Sequence, residues 1–202
     1  MKIILSVLNV ILISSCSFIH YMGTKTTVDK PESEINTYLI KNNFTFYDYN
    51  LLLKDELIDS LSIKKQALNL WQFEHGTAQS TIQLRIYDSL GKLVNGYAQC
   101  YGDFKKLNIL SEKPYRTFSH LPNNFDLRLK NDLILWNITE SDQQELLAKA
   151  SEKKYTLVVY WNMWSNYYSK IILKELRKYL QKYQMKKEVL IILVNTDYSI
   201  VK

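Results

Sequence analysis

The sequence predicts an α/β (or α+β) fold, and three observations carry that prediction. Two continuous apolar runs, Tyr155–Trp161 (YTLVVYW) and Val189–Asn195 (VLIILVN), have the composition of strands covered on both faces. Between them, Ser165 to roughly Lys186 repeats apolar residues at helical spacing. Upstream, Thr81–Tyr87 alternates apolar and polar residues and runs into the turn-forming Asp88-Ser89-Leu90-Gly91, with Lys92–Tyr101 as a partner strand. A chain of 202 residues with 47% apolar content can bury a substantial core, and only 5 Gly and 3 Pro interrupt it.

Each element has its own signal. Glu34–Lys41 has the pattern of a short helix or strand, and Leu53, Leu57, Ile58 and Leu61 fall at helical spacing, which predicts a helix around residues 50–70. Residues 104–138 hold short apolar pieces, Leu107–Leu110 and Leu133–Ile138, separated by Pro114, Pro122 and Asn123-Asn124. Thr139-Glu140-Ser141-Asp142 opens a helix that runs to Lys153, with a hydroxyl at the N-cap, acids in the first turn and lysines in the last. In the helix after Trp161, Ile172, Leu176, Tyr179, Leu180 and Tyr183 form one apolar stripe. Two buried strands joined by a crossover helix of this length make a βαβ unit, right-handed by the general rule for such crossovers.

The first twenty residues are organised differently. Met1-Lys2 is a short positive segment, Ile3–Ile13 is apolar apart from Ser6 and Asn9, and Ser14-Ser15 stands before Cys16. The apolar run is about half the roughly 20 residues that a bilayer span requires, so it reads as a secretory signal. Ile13-Ser14-Ser15-Cys16 resembles the lipobox of bacterial lipoproteins, although Ile and Ser replace the more usual Leu and Ala in its first two positions. The resemblance implies cleavage after Ser15 and acylation of Cys16, which becomes the new N-terminus. Several acyl chains on one cysteine hold a membrane far more durably than a single one, because each buried CH₂ contributes about 0.8 kcal/mol. Residues 1–15 are then a signal peptide, and 16–34 a lipidated tether without sustained apolar period. Residues 35–138 form a mixed α/β region with the 81–101 hairpin, and 139–202 a helix plus the βαβ unit. Ser17 after the cysteine leans towards the outer membrane, facing the periplasm, in a Gram-negative envelope.

The βαβ unit resembles part of a thioredoxin-like domain. In that family a strand ending in an aromatic residue leads to Trp-Cys-x-x-Cys at the start of a long helix, and the next strand ends in an acid. Here Tyr155–Trp161 matches the strand, Trp164 the motif tryptophan, and Val189–Asp197 the next strand with its acid. Ser165 and Tyr168 stand where the two cysteines would be. Disulfide exchange needs a thiolate and a second thiol to resolve the mixed disulfide, so these degenerate positions imply a redox-dead relative. The family's later cis-proline, strand pair and last helix do not follow Asn195. Either the 81–101 hairpin completes the sheet from the N-terminal side or the thioredoxin-like fold is incomplete.

Other chemistry is sparse. With Cys16 acylated, Cys100 is the remaining thiol; it reads as a small hydrophobe on a strand, with a thiol or redox enzyme using His75 or His120 as the alternative. The three histidines are far apart and lack metal-ligand spacing, so neither a metal nor a cofactor is expected. Ser89-Leu90-Gly91-Lys92 lacks the glycine and hydroxyl residue of a phosphate loop. The net charge of +6 comes entirely from residues 150–202, which hold 10 Lys/Arg against 4 Asp/Glu, and this argues against a nucleic-acid-binding domain. Lys170, Lys174, Lys178, Lys182 and Lys186, with Arg177, oppose the apolar stripe and read as a solvated face, with an anionic-lipid or nucleic-acid contact as the functional alternative. The expected partners are membrane lipid at the acylated N-terminus and an envelope protein or ligand.

Overall fold

The computed structural model describes residues 30–54, 82–98, 128–164 and 166–197, with backbone alone for 96–98. Five strands form one mixed sheet: β1 (Tyr49–Leu52), β2 (Gln83–Asp88), β3 (Leu93–Ala98), β4 (Tyr155–Trp161) and β5 (Val189–Asn195), in the order β1-β5-β4-β2-β3. β1, β5 and β4 run parallel, whereas β2 is antiparallel to both β4 and β3. Among the described residues, four helices cover the sheet: α1 (Glu32–Lys41), α2 (Leu129–Leu133), α3 (Glu140–Ser151) and α4 (Asn166–Lys182), with a 3-10 turn at Met185–Lys187 before β5. The α/β class predicted from sequence is therefore the class observed. The hairpin joins the sheet beside β4, so the strands of the mixed region and of the βαβ unit share one sheet.

Alternation along the strands sorts the core into two layers. Leu84 and Ile86 of β2, Leu157, Val159 and Trp161 of β4, and Ile191 and Leu193 of β5 meet Ile35 and Leu39 of α1 and Ile172, Leu173, Leu176 and Leu180 of α4. On the opposite face, Tyr87, Val158, Tyr160, Leu190, Ile192 and Val194 meet Leu129 and Leu133 of α2, Trp136, and Leu146 and Ala150 of α3. Successive strand residues point to opposite faces, which is why β4 and β5 are apolar at nearly every position rather than at every second one.

Several local expectations change. Residues 50–52, expected to open a helix around 50–70, instead belong to the edge strand β1, paired Tyr49 with Ile192 through Leu52 with Asn195. Backbone bonds extend this edge: Leu53 N–H donates to Asn195 O, and Asn137 N–H donates to Leu52 O. Pairing with β5 outweighs a weak local helical preference; residues 55–70 lie outside the described residues. β2 was expected to be half-buried, yet Gln83 through Tyr87 are all buried, because the strand lies between β3 and β4 with helices on both faces. Residues 32–34, read from sequence as part of a tether, lie in α1, which begins at Glu32. α4 stops at Lys182 rather than near Lys186: Gln184 takes a left-handed conformation (φ 52°) and buried Met185 anchors the reversal into β5. Tyr183 consequently leaves the apolar stripe and is exposed.

Turn and cap chemistry follow the sequence closely. The Asp88 carboxylate accepts the N–H groups of Leu90 and Lys92, and Gly91 takes φ +70°, which glycine adopts without strain. Its carbonyl then accepts the Leu129 N–H, fastening the hairpin turn to the start of α2. At α3, Thr139 Oγ1 accepts from Asp142 N–H and the Asp142 carboxylate accepts from Thr139 N–H, a reciprocal capping box.

Candidate functional site

The carboxyl ends of β4 and β5 lie side by side, and the loop between β4 and α4 is built over them. In open α/β sheets this edge is where ligands are usually held. Trp161 ends β4 with its ring fully buried and stacked on Tyr38 of α1 at 5.4 Å between centroids. Asn162 follows, also fully buried; its N–H donates to Ser169 Oγ, whose hydroxyl donates to Asn162 O at 2.6 Å. The Asn162 amide reaches Thr196 Oγ1, and Thr196 N–H donates to Trp161 O, so the exits of both strands are tied together.

Asp197 closes the arrangement. Its carboxylate accepts the Met163 N–H at 2.9 Å, the Trp164 N–H at 3.3 Å and the Asn195 side-chain amide at 2.7 Å. Burial pushes the Asp197 carboxyl above the ordinary carboxylate range, while these donors and the Lys30 ammonium pull the other way. Tyr38 spans the site, donating from its hydroxyl to Asn166 Oδ1 at 2.6 Å, and burial followed by the nearby Asp197 charge raises its phenol well above the usual value.

This geometry has chemical consequences. The loop N–H groups of Met163 and Trp164 are already bonded to a carboxylate, so they do not form a free anion-binding nest. A carboxylate at the start of a helix also opposes the electropositive setting that lowers a thiol pKa. Two buried donors point elsewhere: among the described residues, the indole N–H groups of Trp161 and Trp164 meet no acceptor. Such orphaned donors are uncommon; half-buried Met163 and Tyr168 pack against the same core cluster as Trp161.

Of the site residues named from sequence, the structure brings two to this edge. Trp164 is half-buried in the loop, and Tyr168 is half-buried in the first turn of α4, its ring edge-on to Tyr167 at 5.3 Å. Ser165, Cys16, Cys100 and all three histidines lie outside the described residues. Among the described residues no cluster of His, Cys, Asp or Glu is arranged to hold a metal, and no helix is long and apolar enough to cross a membrane.

A second polar cluster was not anticipated. On the α2/α3 face, Arg85 of β2 donates to Asp132 Oδ1 at 2.5 Å and Tyr87 donates to Asp132 Oδ2 at 2.5 Å. Gln83 Oε1 accepts from the Arg85 guanidinium, the guanidinium lies 4.8 Å from the Tyr160 ring centre, and Tyr160 accepts from Trp136 Nε1. Every member is buried. Burial works against the Arg85 charge, but Asp132 more than restores it; burial and the Asp132 charge raise the phenols of Tyr87 and Tyr160. The available signal was an arginine inside an apolar strand (QLRIY), which requires an acid partner. Its partner lies 47 residues away and carries no local mark.

Comparison with protein-family models, curated proteins and solved structures finds no match for this chain.

Proposed function

We propose that this chain is an exported lipoprotein, anchored in a cell-envelope membrane through Cys16, whose redox-dead thioredoxin-like domain serves as a non-catalytic binding or scaffolding module. The observation that carries this reading is the seat of Asp197: a carboxylate occupies the loop N–H groups beside positions 165 and 168, where the family's chemistry needs a stabilised thiolate. The residues at those positions, Ser165 and Tyr168, lack thiols. Further support comes from the hairpin. The thioredoxin resemblance calls for a strand pair to complete the sheet, and β2–β3 lies antiparallel against β4, supplied from earlier in the chain.

Two measurements test the reading separately. Metabolic labelling with a fatty acid should mark the wild type and not Cys16→Ala; persistent label in the variant would remove the lipid anchor. The purified protein should show no catalysed reduction of insulin with dithiothreitol as donor, and turnover above background would refute the redox-dead assignment. A folded-state thiol titration completes the second test, since an enzyme acting through Cys100 requires that thiol to be exposed and acidic.

A further inference from the structure

The exposed side of α4 gathers more cations than the acid of that helix can pair: Lys178 meets Glu175, and Lys182 lies over the Tyr183 ring. Lys170, Lys174, Lys178 and Lys182 are all exposed and lie opposite the buried stripe of Ile172, Leu173, Leu176, Tyr179 and Leu180. Glu175 is the one acid in the helix, and it pairs with Lys178 at 2.8 Å. Tyr167 lies on the same side, three residues before Lys170, with 53% of its surface exposed. Lysines flanked by an exposed aromatic are the composition of a helix surface that rests at a lipid headgroup boundary.

The direction of the chain points to the same surface. α1 and α4 share one face of the sheet: Tyr38 bonds Asn166 at the start of α4, and Arg177 donates to Asn43 O just beyond α1. α1 therefore runs alongside α4 in the same sense, and Lys30, two residues before α1, stands near enough to Asp197 to favour that charge. The tether thus enters the domain at the end of α4 that carries Tyr167 and Lys170. Thirteen residues, Ser17 to Asp29, separate Cys16 from Lys30, a covalent reach of at most roughly 45 Å. α4, at 17 residues, is about 25 Å long, so an anchored chain has enough slack to lay the whole helix on the bilayer.

We infer that the Tyr167–Lys170–Lys174–Lys178–Lys182 surface of α4 docks on anionic lipid headgroups of the membrane that holds the acylated N-terminus. The inference rests on the lipid-anchor reading, and it sets the orientation of the domain: α4 faces the bilayer, while the α2/α3 face looks away from it.

The full processed chain, purified from membranes and reconstituted, would be footprinted by amine acetylation in two kinds of vesicle. One is phosphatidylcholine alone, and the other contains a third phosphatidylglycerol. In the anionic vesicles the four lysines should react about fivefold or more slowly, the change expected when each lysine interacts with a charged surface. Lys130 and Lys149, exposed on the opposite face, should react equally in both. High salt should abolish the difference. Equal labelling of the four lysines in both vesicles would overturn the proposal, as would stronger protection by duplex DNA at equal phosphate concentration. A chain that fails to enter neutral vesicles would instead refute the acyl anchor, and adding anionic vesicles to it would still score the lysine surface.

Discussion

The two faces of the sheet are covered by helices to similar effect but by different physics. Against α1 and α4 the sheet presents Leu84, Ile86, Leu157, Val159, Ile191 and Leu193, an apolar layer with the buried Asp197 carboxylate beyond the end of β5. Against α2 and α3 it presents Val158, Leu190 and Ile192 together with the Arg85–Asp132 pair and the hydroxyls of Tyr87 and Tyr160. Apolar packing is non-directional and scales with area, so the first face tolerates changes of shape that keep volume. A buried ion pair has strict geometry and gains little over an apolar replacement, yet it is costly to break from one side. The first layer therefore supplies bulk stability, and the second fixes how α2, only five residues long, is seated on β2.

The comparison is tested most severely by putting a charge on the apolar side. Leu176 is fully buried, and Leu176→Asp should cost more than about 4 kcal/mol, since the carboxylate has no partner there; near-unchanged thermal unfolding would mean the layer is not dry. On the other face the informative step is to remove a charge. Asp132→Ala strands a buried guanidinium and should lose about 3–5 kcal/mol in urea unfolding. The triple variant Arg85→Met, Asp132→Leu, Tyr87→Phe should recover most of that loss. If it does not, the network contributes stability beyond mutual neutralisation.

Alkaline titration probes the buried and half-buried phenols without mutation, Tyr38 of the α1/α4 face among them. The phenols of Tyr87 and Tyr160 sit above their ordinary value of 10.0 in the folded state. Above pH 10 the unfolded chain releases these protons and the folded chain keeps them. Stability present below that pH is thus lost as pH rises, by about 1.4 kcal/mol per pH unit for each group, until the folded-state values are reached. Tyr87→Phe should flatten this slope, as read by denaturant unfolding at successive pH values. The smallest effect belongs to the helix cap on the same face, where Thr139→Ala should cost about 1 kcal/mol.

How much of this was legible in advance differs from element to element. β4, α4 and β5 were read within a few residues because each is long and strongly patterned, and the α3 cap was read because Thr139 and Asp142 act on each other locally. β1 was misread because Leu51 and Leu52 satisfy either period, and only the β5 backbone chooses between them. At the candidate site, Trp164, Tyr168 and Asp197 were found by resemblance, whereas Tyr38, whose ring stacks on Trp161, lies 123 positions earlier in the chain.

Local sequence alone determined the α/β class, the caps, the hairpin turn at Asp88–Gly91 and the absence of thiols at positions 165 and 168. These depend on residue type and on spacings of a few residues, which act before any long-range contact forms. The tertiary structure alone decided that the hairpin closes the sheet beside β4, that Arg85 meets Asp132, and that Asp197 occupies the loop donors of Met163 and Trp164. Each of these joins residues tens of positions apart. The chain bears the entropy of closing such loops only when the whole sheet forms, so no short stretch of sequence carries their mark.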